Sequence, residues 1–179
     1  NMQTATYDAK FYLPEKSGWE STIGVNGLYQ INDVTKGTEF VIPNYTLFDF
    51  APFIYVKKEI KKIDISAGVR YDTRSFKNNA LYTTTNPNTG FDKATNDTTG
   101  ATKQFDNYNH VFNGLSGSIG ITYNITDQFL IKANVARGYR APNISEISAK
   151  GVHPGTGFQQ LGDANFKPEF NLQEDIGIF

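Results

Sequence analysis

The sequence predicts an all-β chain: an antiparallel up-and-down meander of about seven strands that forms part of a transmembrane β-barrel wall. Three observations carry this reading. Apolar and polar residues alternate with a period of two along successive segments, the pattern of strands with one greasy and one wet face. The segments run to about 11–13 residues, which at ~3.3 Å per residue and a tilt near 45° crosses roughly 25–30 Å, whereas soluble strands average about 5–6 residues. The connections alternate short and long, as turns on one side of a membrane and loops on the other would require.

The first strand is predicted over 4–13, with Ala5, Tyr7, Ala9, Phe11 and Leu13 on one face and Thr4, Thr6, Asp8, Lys10 and Tyr12 on the other. A turn containing Pro14 and Gly18 leads to a second strand over 18–31, where Trp19, Ile23, Val25, Tyr29 and Ile31 share a face. After a polar connection over 32–44, the segment 45–57 is apolar on both faces, and Pro52 inside it predicts a bulge or distortion because proline cannot donate to a ladder. The fourth strand, 62–73, alternates most regularly: Ile63, Ile65, Ala67, Val69 and Tyr71 against Asp64, Ser66, Gly68, Arg70 and Asp72. A loop rich in Asn, Thr, Gly and Asp is expected over 74–109, with little from which to build a core. Strands follow over 110–124 and 128–140, then a loop over 141–169 and a last strand over 170–179.

Composition narrows the function classes. The 179 residues carry 17 basic and 18 acidic side chains, so no excess of charge points to nucleic acid. Cysteine is absent, which excludes a disulfide framework or a thiolate metal site. The two histidines, His110 and His153, are far apart and lack partners at ligand spacing, so no metal site is expected. Serine and threonine are abundant, but no nucleophile–base–acid pattern and no phosphate-binding glycine loop accompanies them, so neither catalysis nor a cofactor is expected. No apolar run reaches the ~20 residues of a membrane-spanning helix, and a barrel would not need one.

Aromatic residues mark the strand ends. Trp19, Tyr123 and Phe129 lie beside short turns, while Tyr29, Tyr71 and Tyr139 lie at the opposite ends, where two interfacial girdles would sit. A soluble β-sandwich would also place aromatics near strand ends, but the wet faces here are too small and polar to pack a second sheet.

The segment Gly138-Tyr139-Arg140-Ala141-Pro142-Asn143, followed by Glu146, resembles a barrel signature of TonB-dependent receptors. Gly151-Val152-His153-Pro154, and further on Gly162-Asp163 with Phe166-Lys167-Pro168-Glu169, are similar to the loop by which these receptors re-enter the barrel; Phe166 stands where leucine is usual. Gly68-Val69-Arg70-Tyr71-Asp72 matches a shorter strand-end string common in such barrels. The resemblance implies a barrel of about twenty-two strands in the outer membrane of a Gram-negative bacterium, closed by an N-terminal plug domain. It implies import of a scarce ligand driven by the TonB complex, a ferric siderophore first, with another metal chelate or a glycan as the open alternatives. The chain would then be a fragment of such a barrel, its partners being membrane lipid, the plug of the same parent chain, TonB through an upstream segment, and the ligand.

Candidate ligand contacts are Arg74, Lys77, Tyr82, Lys103, Tyr108 and His110, which the strand boundaries place in or beside a long loop. Glu146, Glu169 and Asp175 are candidates for docking the plug, because the resemblance implies acidic residues on the inner wall that meet plug arginines. Two rival functions remain at this stage, a surface adhesin or glycan-binding sandwich and a passive porin.

Overall fold

The computed structural model describes residues 1–34, 36–37, 39–153 and 155–179, with Lys36 and Gly37 described by their backbone alone. In chain order its elements are β1 (Met2–Lys16), β2 (Trp19–Asn32), β3 (Lys36–Gly37), β4 (Tyr45–Ile60), β5 (Ile63–Asn78), β6 (Leu81–Thr85) and β7 (Asp92–Thr95). Then come β8 (Thr102–Phe105), β9 (Tyr108–Thr126), β10 (Phe129–Arg140), the short helix α1 (Ile144–Ser148), β11 (Lys150–Val152), β12 (Gln159–Leu161) and β13 (Glu169–Ile178).

Seven of these make one antiparallel sheet in the order β1-β2-β4-β5-β9-β10-β13, each long strand beside the next. The register carries the alternation across the wall. Lys10, Gly24, Phe53, Arg70 and Ser116 lie abreast on one face; Phe11, Ile23, Ile54, Val69 and Gly117 lie abreast on the other. The second face exposes Phe11, Ile54, Leu115, Ile119, Ile121 and Ile176, an apolar surface that only lipid would cover at low cost. The first face is concave. Asp8 on β1 and Arg140 on β10 line one hollow, although five strand spacings of about 4.8 Å would hold them far apart in a flat sheet.

One end of the sheet closes with two-residue turns. Ser17 and Gly18 both adopt left-handed backbone (φ 55 and 77), the geometry that matches the twist of a tight hairpin, and Lys61 does the same in the next turn (φ 55). The other end is built differently from the sequence expectation. β5 continues to Asn78 and β9 begins at Tyr108, so Arg74, Lys77 and Tyr108 stand on strands that pair residue by residue rather than in a loop. These extensions lack the greasy–wet alternation because both of their faces are covered by protein or water, not lipid. The remainder of 74–109 holds β6, β7 and β8, which with β3 form a small four-stranded sheet. Threonine-rich runs such as Leu81–Thr85 suit such strands.

A core absent from the sequence expectation sits at this end. Tyr45, Leu47 and Phe76 are buried together on the concave face, with Leu28, Ile42, Tyr108 and Ile144 against them. Phe40, Pro43, Phe105 and Pro142 are buried nearby from three different loops. Gln104 joins two of those loops by donating to the carbonyls of both Phe40 and Lys150, each at 2.8 Å. The segment 141–169 contains α1, whose Asn143 and Glu146 form a reciprocal capping box, and the β11–β12 hairpin. Pro154, part of the Gly-Val-His motif, lies outside the described residues.

Pro52 produces no bulge. The β4–β5 pairing skips Ala51 and Pro52 and resumes at Phe53↔Arg70 in unchanged register, while the β2 side pairs continuously through Val25↔Pro52. The missing donor costs a two-residue gap in one ladder and nothing in alignment. The girdle also needs correction. Trp19, Tyr29, Tyr123 and Phe129 are exposed near strand ends, Tyr71 is exposed in the middle of the lengthened β5, and Tyr139 is not exposed. Its ring covers Gly114, where an added Cβ would come within 2.0 Å of it.

Candidate functional site

The hollow on the concave face, about 560 Å³, is lined by Tyr7, Asp49, Arg70, Asp72, Arg74 and Tyr139 among others. Its geometry follows from register. Asp49 on β4 is directly opposite Arg74 on β5, and the guanidinium donates through Nε and Nη2 to the two carboxylate oxygens at 2.8 and 2.6 Å. Both side chains are mostly shielded from solvent, which strengthens a two-point ionic contact of this kind. The remaining Arg74 nitrogen Nη1 donates to the Pro142 carbonyl at 3.3 Å, tying the wall to the segment after β10. Arg70 donates to Asp72, two residues along the same strand, at 2.8 Å. Tyr7 crosses Gly27 to donate to the Asp49 carbonyl at 2.7 Å, an approach that any side chain at position 27 would block.

A second charged cluster closes the rim. Arg140, the last residue of β10, donates two hydrogen bonds to Glu146 and one to Glu169, all at 2.9 Å. The Arg140 guanidinium, helped by the Asn143 amide, holds the Glu146 carboxyl below the usual carboxylate range. One cation thus fastens the end of β10, the start of α1 and the start of β13 together.

The expected site residues are distributed as follows. Arg74 lies in the hollow, paired to Asp49. Tyr108 packs on Phe76 with ring centroids 5.6 Å apart, and His110 stacks on Phe112 at 4.6 Å. Lys77 is exposed on β5, Tyr82 lies on β6, and Lys103 on β8 forms an ion pair with Asp106. These six therefore do not converge on one place. Glu146 and Glu169 meet through Arg140, whereas Asp175 stands apart on the concave face of β13, opposite Asn134 and accepting from Gln173. His153 accepts from the Gly155 amide in a local turn. Among the described residues no group of three or more His, Cys, Asp or Glu is placed to hold a metal ion.

Asp49, Asp72 and Tyr7 were missed as site residues. Asp49 sits in the one segment that is apolar on both faces, which hid its partner. Once β4 and β5 are joined through the turn at Lys61 and Lys62, counting back pairs it with Arg74, so the hairpin register was the available signal.

A sheet that is apolar outside, charged inside and closed at one end by tight turns is a piece of transmembrane β-barrel wall. The family model for the TonB dependent receptor-like β-barrel matches residues 3–178, and the chain belongs to that family. Among solved structures it is similar to the hemophore receptor HasR of Serratia marcescens, a double mutant in complex with its hemophore HasA and heme. The TM-score is 0.64 at 13% identity, over 99% of this chain and 29% of that one, so the likeness concerns the fold. No curated protein matches.

Proposed function

We propose that this chain is part of the barrel of an outer-membrane receptor that binds a scarce ligand, a ferric siderophore or related iron chelate, and imports it with energy from the TonB complex. Family membership supports the receptor reading. The observation beside it is the concave face, where paired charges tie the covering segments to the wall through Arg74 and Arg140. Such a face suits a lumen occupied by another protein domain. Asp175, with no cationic partner among the described residues, is the plug contact we favour over Glu146 and Glu169, which Arg140 already engages. Lys77 and Tyr82 are the candidates left for ligand, at the end of the wall that we place outside the cell, Lys103 being engaged by Asp106.

The test uses the parent gene. Cells lacking it and their complemented strain are grown with a ferric siderophore or heme as sole iron source, with and without TonB. Growth on a siderophore that needs both the gene and TonB supports the reading. Growth on heme alone moves the ligand class, and uptake independent of TonB overturns it in favour of a porin.

A further inference from the structure

The apolar outer face carries one cation that the inner sites do not use. Arg137 lies on β10 in the row Phe11, Ile23, Ile54, Val69 and Gly117, opposite Leu172 of β13. Its neighbours leave a groove on the wall, about 400 Å³, bordered by Val69, Leu115, Val135 and Leu172 and floored by Gly117. The lining is apolar apart from Arg137 itself and two serine backbones. The guanidinium stacks 4.2 Å from the Phe170 ring, and Nη1 donates to the Leu115 carbonyl at 2.6 Å. These contacts fix it against the wall, and its other N–H groups have no hydrogen-bond acceptor among the described residues. Among the described residues it forms no salt bridge, although Glu174 shares the face one pair away, opposite Val135.

Depth places this charge. Arg137 is eight residues along β10 from Phe129 at the turn end. At ~3.3 Å per residue and a tilt near 45° that is about 19 Å along the membrane normal, within an apolar band about 25 Å tall. The charge therefore lies about 6 Å inside the far edge of that band, beside the apolar groove and within reach of the lipid headgroups for a long side chain.

We propose that this groove is a binding site for a phosphate-bearing lipid: an acyl chain lies on Gly117 between Val69, Leu115 and Leu172, and Arg137 holds the headgroup phosphate. An acyl chain needs the apolar channel, and a phosphate supplies the charge that a cation at this depth lacks. Gly117 keeps the channel open, since its bare backbone leaves the floor without a side chain. Arginine suits the role because its fork can stack on Phe170 and still donate to two phosphate oxygens.

The experiment uses the full-length parent in nanodiscs of phosphatidylcholine with a minor fraction of phosphatidylglycerol, and lipid retained after detergent extraction is read by native mass spectrometry. Wild type is expected to retain phosphatidylglycerol over phosphatidylcholine. Arg137→Gln should lower that preference about tenfold, Arg137→Lys should restore part of it, and Glu174→Gln should raise it. Val135→Trp, which fills the groove and keeps the charge, should lose retention while inorganic phosphate fails to compete in wild type. Equal retention by wild type and Arg137→Gln, both folded by circular dichroism, overturns the site. Loss of retention on adding inorganic phosphate alone would show a bare anion site and overturn the lipid assignment.

Discussion

The two ends of this wall are held by different means. At the turn end, strands reverse through two residues whose backbone angles do the work, and almost no side chain is buried there. At the loop end, the strands outrun the membrane-spanning pattern and are capped by Tyr45, Leu47, Phe76 and Phe112, with loop residues Phe40, Phe105 and Pro142 brought from distant parts of the chain. The first end is specified by local geometry, the second by packing between segments far apart in sequence. The contrast teaches that lipid can replace a protein core along the middle of the sheet, but not where the strands emerge.

The largest expected effect tests the loop end. Phe76→Ala removes a fully buried ring between Tyr45 and Tyr108 and should cost about 3–5 kcal/mol, read by urea unfolding of the parent barrel in lipid vesicles. A loss below about 1 kcal/mol would mean that the cap contributes nothing to holding the wall. The turn end should respond weakly and in the opposite direction. Lys61→Gly relieves a left-handed backbone in a non-glycine residue, and a gain of about 0.5–1 kcal/mol is expected in the same assay. A loss there would break the claim that backbone geometry alone sets that end.

The smallest effect is local and depends on pH. The folded Glu146 carboxyl titrates below its ordinary value because Arg140 and the Asn143 amide favour its charged form. Its contribution is therefore complete above the ordinary carboxylate range and is lost as pH falls through the lowered folded value. Amide exchange across α1 should accelerate as pH is taken below about 4, beyond the intrinsic pH dependence of exchange. Glu146→Gln should show that faster exchange at neutral pH and little further change on acidification. Identical pH profiles for the two proteins would remove Glu146 from the clamp.

How much was legible follows the same division. Period-two alternation reported the wall because lipid on one face and water on the other impose opposite demands on successive residues. The first tight turn was readable only as the stretch from Pro14 to Gly18, since β1 runs on to Lys16 and Ser17 and Gly18 alone reverse the chain. Past residue 73 the lipid stops imposing that demand, so the extensions of β5 and β9 looked like loop. Phe105 in a polar stretch gave no sign that it was core, because its partners lie tens of residues away. The charged hollow was half visible. Arg74 stood out as a candidate, but its role came from Asp49, and only the hairpin register joins them. Tyr139 shows the limit of position-based reading: a strand-end tyrosine suggests an interface, and a bare Gly114 across the gap drew its ring elsewhere.

The gap at Ala51 and Pro52 has an elastic consequence. Hydrogen-bonded ladders make a barrel wall stiff against shear, and stiffness falls where rungs are missing. Here two rungs are absent between β4 and β5, beside the Asp49–Arg74 pair and at the level of the hollow, with alignment kept on both sides. The wall therefore has a compliant seam at the height where an occupant of the lumen would press on it. It can yield sideways there without losing register.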